Sequence, residues 1–279
     1  MNPISILVFL LTILFSLGQS STAVRVIPVT PTSTPVVVTE LAQTNWSANM
    51  YIEAGARYQD PDLTACTATS ALMALNMIAL GANAGSSFAW SVTTDYADQE
   101  SILAFEQAND TLPLPTGSDP HGVRNALNYY GWGGTDARVY SDKAYDSFSA
   151  AAKAVVASIA RTHKPAVIFP WYGSHAQLVT GYKVTGEDPS ISDNFQITAV
   201  YLTDPEHDPK TTLLVDRTIR HITPIGRNSL VGVEAWRYGD LAVQFNRYSQ
   251  LDSTLRDNLD GQIGRAEWYG RFVIVSADN

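Results

Sequence analysis

Cys66 is the only cysteine in a chain of 279 residues. A lone thiol rules out an intrachain disulfide and any multi-cysteine zinc or iron–sulfur site, so it is either inert filling or a nucleophile. Free cysteine is among the most buried residue types, which favours the first role. Position favours the second. An apolar helical run begins at residue 65 with Thr64 as the candidate N-cap, which puts Cys66 in a first helical turn. There, free backbone N–H groups and the positive end of the helix dipole stabilise a thiolate. Asp60 and Asp62 come shortly before it and would oppose the thiolate if they approached the sulfur.

A nucleophilic thiol needs a base, and the base needs an orienting partner. His175 follows the Gly173-Ser174 turn and opens the strand-like stretch Ala176-Gln177-Leu178-Val179-Thr180-Gly181-Tyr182, so it can face a helix N-terminus across a cleft. Of the other histidines, His121, His163 and His207 fall in loop or helix-end settings, and His221 lacks the turn-and-strand context. Asp204 ends the next strand pattern, in Tyr201-Leu202-Thr203-Asp204-Pro205. If the two strands pair as an antiparallel hairpin, Asp204 comes beside His175 and can accept its ring N–H, fixing the tautomer. Plain structural readings exist for both: a histidine at a strand start is often simply exposed, and Asp-Pro commonly starts a turn. Gln59, seven residues ahead of Cys66, could join the Cys66 backbone N–H in an oxyanion hole, although glutamines are ordinarily exposed. Trp171 and Tyr172 adjoin His175 and are candidates to line a substrate groove, whereas Trp90, Trp132, Trp236 and Trp268 read mostly as core.

The elements that must position these residues divide by pattern. Helices are predicted at 65–80, closed by Gly81, at 96–107, at 122–130, closed by Gly131, and at 148–161, followed by Pro165. The first of them is apolar on every face, which marks a buried helix. Strands are predicted at 166–171, 175–184, 195–203, 213–219, 241–245 and 272–275. Helices followed by strands indicate an α+β domain with an antiparallel sheet.

Composition limits the function classes. The chain is 45% hydrophobic and only 16% charged, against roughly 25% charged in an ordinary soluble domain, which excludes wholesale disorder. Its net charge of −9 offers no basic face to a phosphate backbone, so no nucleic acid is expected as a partner. No H-E-x-x-H or phosphate-binding glycine loop occurs, and no metal or cofactor is expected. Residues 1–23 read as a signal peptide or an N-terminal anchor. Their apolar run, 4–17, is too short to span a bilayer comfortably, and Ser21-Thr22-Ala23 offers a small-residue cleavage site. Residues 24–44, with Pro28, Pro31 and Pro35, form an extended linker. Residues 45–279 remain as one domain, expected to be secreted or held outside the cytoplasm by a membrane tether through the N-terminal segment.

Taken together, several stretches resemble the C39-like group of papain-fold cysteine peptidases. They are Tyr58-Gln59-Asp60-Pro61-Asp62-Leu63-Thr64-Ala65-Cys66-Thr67-Ala68-Thr69-Ser70, then Ser118-Asp119-Pro120-His121-Gly122 with Ala126-Leu127-Asn128-Tyr129-Tyr130-Gly131, then Lys164-Pro165, Gly173-Ser174-His175-Ala176 and Thr203-Asp204-Pro205. The similarity runs over about residues 48–275. It implies a papain-like fold, with a buried central helix carrying the cysteine against an antiparallel sheet carrying the histidine and aspartate. It further implies Cys66 as nucleophile, His175 as base, Asp204 as orienter and Gln59 as oxyanion residue, acting on a peptide or protein substrate. Two departures stand out: Thr67 replaces the glycine of the transporter-linked C39 domains, and Gln59 is slightly displaced from the usual spacing. Two readings follow: an exported cysteine hydrolase working through a thioester acyl-enzyme, or an inactive papain-like domain that binds peptides or cell-surface material.

Overall fold

The computed structural model describes residues 44–206, apart from 61–62, 82, 94–95, 112–113 and 115, and then 234–237, 245, 247–248 and 267–278. The N-terminal segments at 1–23 and 24–43, the strand expected at 213–219 and all but Phe245 of the one expected at 241–245 lie outside the described residues. Among the described residues no helix is long and apolar enough to cross a membrane.

The expected α+β class is present. Among the described residues, four α-helices, α1 (Cys66–Leu80), α2 (Ala97–Ala108), α3 (Pro120–Trp132) and α4 (Phe148–Thr162), accompany a sheet of seven strands. The strands are β1 (Asn45–Asn49), β2 (Tyr140–Tyr145), β3 (Ala166–Ile168), β4 (Gln177–Gly186), β5 (Phe195–Thr203), β6 (Glu234–Arg237) and β7 (Phe272–Ala277). Every pairing is antiparallel, in the order β2-β7-β3-β4-β5-β6, with β1 also paired to β4. Helices and strands are more interleaved than the sequence pattern implies, because β1 and β2 belong to the first half of the chain.

Both faces of the sheet are covered, and the alternation of side chains along each strand sorts them between two cores. Val167, Leu178, Val273 and Val275 pack with α1, α2 and α3. Ile168, Val179 and Ile274 point the other way and pack with Val155, Val156 and Ile159 of α4. A strand buried on both sides reads as a continuous apolar run, which is why residues 166–169 show no polar alternation. Helix α1 is the centre of the first core, and every residue from Thr67 to Ile78 is buried. Burying a leucine such as Leu72 or Leu75 contributes about 1.5–3 kcal/mol.

Several boundaries differ from the sequence reading, those around the site for local reasons. Thr64 does not cap α1: it adopts φ 49°, the cap position is Ala65, and no side chain caps the helix. Helix α3 begins earlier than residue 122 because Asp119 caps it, its carboxylate accepting the Gly122 N–H at 2.9 Å, with Pro120 in the first turn. It runs past Gly131, where a Cβ would come within 3.2 Å of both Leu75 and Phe88, so this glycine allows α3 to approach α1. The stop is Gly133, which supplies φ 81°. Strand β3 ends at Ile168 because Trp171 and Tyr172 turn into positive φ, and β4 begins at Gln177, so His175 precedes the strand it was expected to open.

Candidate active site

The register of one hairpin builds half of the site. Leu178 of β4 pairs with Thr203 of β5, so the residues just before β4 and just after β5 are neighbours. His175 Nε2 stands 2.8 Å from Asp204 Oδ1, and Gln177 Nε2 donates to Asp204 Oδ2 at 2.8 Å. The Glu206 backbone N–H also donates to Asp204 Oδ1, at 2.9 Å. A carboxylate only accepts, so the hydrogen on this side of the ring belongs to Nε2, and Nδ1 is the basic nitrogen of the neutral imidazole. Both His175 and Asp204 are buried, at 2% and 3% exposure.

The other half comes from α1. Cys66 is the first residue of that helix and is partly exposed, and it lies close enough to the His175 ring to raise the pKa of the imidazole. Because Ala65 provides no side-chain cap, the N–H groups of the first turn are not claimed by a capping oxygen and can serve a developing oxyanion. Burial works against a charged His175. The charge and hydrogen bond of Asp204, with those of Cys66, outweigh it and push the imidazole up to about 9. At neutral pH the ring therefore holds a proton beside the sulfur.

The remaining expected residues occupy different situations. Trp171 stacks on the His175 ring, with centroids 4.6 Å apart and 14° between the planes. Tyr172 is 58% exposed and touches the site only as the next residue in the turn. Among the described residues, four that are not glycine adopt positive φ, namely Thr64, His163, Trp171 and Tyr172. Such conformations cost of order 1–3 kcal/mol each, and three of the four flank Cys66 or His175. Gly173 completes the turn at φ 87°, and a Cβ there would lie 2.5 Å from the Tyr248 ring. Gln59 is brought to the same junction through its backbone, its N–H donating to Pro205 O at 2.7 Å. Its side chain is buried and Oε1 has no hydrogen-bond partner. The loop is held from behind by Gln99, which accepts from the Asp60 N–H and the Thr69 hydroxyl and donates to Tyr58 O.

Sequence reasoning missed three polar residues around this centre. Gln177 follows His175 by two positions, the spacing that returns a strand to the same face. Glu206 follows Asp204 by two across the Asp-Pro turn, and its Oε1 stands 3.5 Å from His175 Nδ1. Glu106 shares the buried stripe of α2 with Gln99, Ile102 and Leu103, so a charge at the i+7 position of an otherwise buried face was the available signal. Its carboxyl is fully buried and faces the Thr67 hydroxyl, but neither group has a hydrogen bond of good geometry. Comparison with protein-family models, curated proteins and solved structures finds no match to this chain.

Proposed function

We propose that the chain is an exported cysteine hydrolase of papain-like fold, related to the C39-like peptidases, which cleaves peptide or other amide bonds through Cys66, His175 and Asp204. The observation that carries this reading is the convergence of three expected residues from two separated elements: a thiol at an uncapped helix start, and a buried imidazole held by a carboxylate at a hairpin end.

In this reading the thiol proton already rests on His175 Nδ1 at neutral pH, pairing a thiolate with the imidazolium, while Asp204 holds Nε2–H and stabilises that charged ring. The Cys66 sulfur attacks the carbonyl carbon, and the oxyanion is met by the Cys66 backbone N–H and the Gln59 amide. Collapse breaks the C–N bond, and the departing nitrogen takes the proton from His175. Water, deprotonated by the same ring, then releases the acyl group from the thioester. Trp171 covers one face of the ring and limits the directions in which it can turn. Tyr172, exposed beside it, is available to a substrate.

The test begins with alkylation. Iodoacetamide is expected to modify Cys66 in the folded protein at neutral pH, and His175→Ala to slow that reaction; a thiol that reacts only after denaturation overturns the reading. Hydrolysis of a peptide library by the wild type and by Cys66→Ala then asks for turnover, which the variant should lack.

A further inference from the structure

We infer that Gln177 is a positioning residue of this site: its side-chain amide fixes the Asp204 carboxylate on the His175 ring and so sustains the imidazolium that keeps Cys66 ionised. The inference rests on the cysteine-hydrolase reading above and concerns what holds its base in a working state. Gln177 is the first residue of β4, two after His175, and is wholly buried. Its Nε2 donates to Asp204 Oδ2 at 2.8 Å, while Asp204 Oδ1 meets His175 Nε2 and the Glu206 N–H. Both oxygens of the carboxylate are therefore engaged, and turning the group about Cβ–Cγ strains a hydrogen bond on each side. Gln177 also pairs with Ile168 of β3, so this donor is anchored in the sheet and not in a loop.

The state of the amide shows which duty it serves. Gln177 Oε1 is buried with no hydrogen-bond partner, and an orphaned acceptor costs stability that an apolar side chain of the same length would not. What the amide supplies in return is a donor to an ionised acceptor, the stronger class of hydrogen bond. A carboxylate only accepts, so the amide cannot be turned over to satisfy Oε1 without setting oxygen against oxygen. A donor to the ionised form favours that form, and an ionised Asp204 is what holds the second proton on the ring. Among the described residues, the titratable groups facing that ring are Asp204, Glu206 and Cys66. Replacing Gln177 by an uncharged residue alters the charge of none of them, so a change in the imidazole reports how Asp204 is held.

Alkylation of the full chain tests this without requiring turnover. The thiolate attacks the CH₂ carbon of iodoacetamide, forms a thioether and expels iodide. Gln177→Met keeps the length of the side chain and removes the donor. Gln177→Asn keeps the amide but withdraws it by one methylene, and serves where the methionine variant fails to fold. In either variant the ratio of the alkylation rate at pH 7 to that at pH 10 is expected to fall roughly three- to tenfold, because at pH 10 the thiolate forms without help from the ring. The NMR titration of the His175 ring should move down by the equivalent, about half to one pH unit. Val179→Ala controls for damage to β4: it removes buried apolar contact on the α4 side and should leave both readings unchanged. On a library peptide that the wild type cleaves, kcat should fall by a similar factor with KM little changed, since a wholly buried amide does not reach the substrate. If the Gln177 variants keep the wild-type ratio, or Val179→Ala lowers it as far, the positioning inference is overturned and the hydrolase reading stands. If iodoacetamide does not react with the folded wild type, the hydrolase reading itself is overturned.

Discussion

Asp204 and Glu106 are both buried carboxyls in the electrostatic surroundings of the Cys66–His175 pair, yet they are treated in opposite ways. Asp204 receives the His175 ring, the Gln177 amide and the Glu206 backbone N–H. Glu106 receives no hydrogen bond of good geometry on either oxygen. Burial raises Glu106 well above the ordinary carboxylate range; the Thr67 hydroxyl lowers it in part, and the charges of Asp110, Cys66 and Asp119 raise it again. Asp110 is pushed up as well, by burial and by Asp119. The difference shows how a buried acid is accommodated: one surrounded by donors and a cation keeps its charge, and one without them keeps its proton. The charged acid holds the His175 ring, and the protonated one avoids placing a second negative charge behind the thiol.

The largest effect should come from the charged side. Asp204→Asn keeps the shape but removes the charge, and its amide can present N–H to a ring nitrogen that already carries hydrogen. Hydrolysis, measured as kcat/KM on whichever library peptide the wild type cleaves, is expected to fall about 10²–10⁴-fold. A variant as active as wild type would break the comparison, because Asp204 would then be no more than the start of an Asp-Pro turn.

A smaller effect is expected from His175. Its pKa is raised from 6.5 to about 9 in the folded protein, chiefly by Asp204 acting against burial. A raised base binds its proton more tightly when folded, so its contribution is fully present below about pH 6.5 and is lost as pH rises through about 9. That contribution is of order 3 kcal/mol at most. Urea unfolding from pH 6 to 9.5 should show wild type losing more stability than His175→Gln over this window. Repeating the series in a Cys66→Ala background sharpens the result, since the Asp204 contributions to the raised pKa persist there. Parallel curves for wild type and variant would mean that the ring is not held charged.

Much of this arrangement was legible from sequence where a pattern repeats and is buried. Strand β5, at Phe195–Thr203, matches the expected strand at both ends because its alternation is regular and a turn-rich stretch precedes it. Helix α1 was readable from its apolar run, although its cap was not, since Thr64 turns into positive φ instead of bonding to the helix. Strands β1 and β2 were invisible for a different reason. Asn45–Asn49 is largely exposed, and Tyr140–Tyr145 is half-buried with Asp142 and Lys143 at its centre, so their strand state depends on pairing with β4 and β7. Cys66, His175 and Asp204 could be singled out because turn chemistry surrounds each of them. Glu206 and Gln177 could not, because only the β4–β5 register brings them to the imidazole.

The smallest expected effect lies on the protonated side. Glu106→Gln replaces a neutral acid by a neutral amide of the same shape, so at pH 4, where the carboxyl is largely protonated whether folded or unfolded, stability should change only by the cost of an amide N–H₂ in a site that provides few acceptors. At neutral pH the unfolded wild type ionises Glu106 and the folded protein resists doing so, which costs wild-type stability that the amide does not lose. That N–H₂ cost is the same at both pH values and cancels from the comparison. The net result should be a stabilisation of about 1 kcal/mol at pH 7 relative to pH 4, read as the difference between the two urea-unfolding series. A neutral-pH loss of about 3–5 kcal/mol would instead indicate an ionised Glu106 holding a cationic partner, the result expected when one member of a buried ion pair is removed. In that case the two acids would be alike, and the contrast around Cys66 would fail.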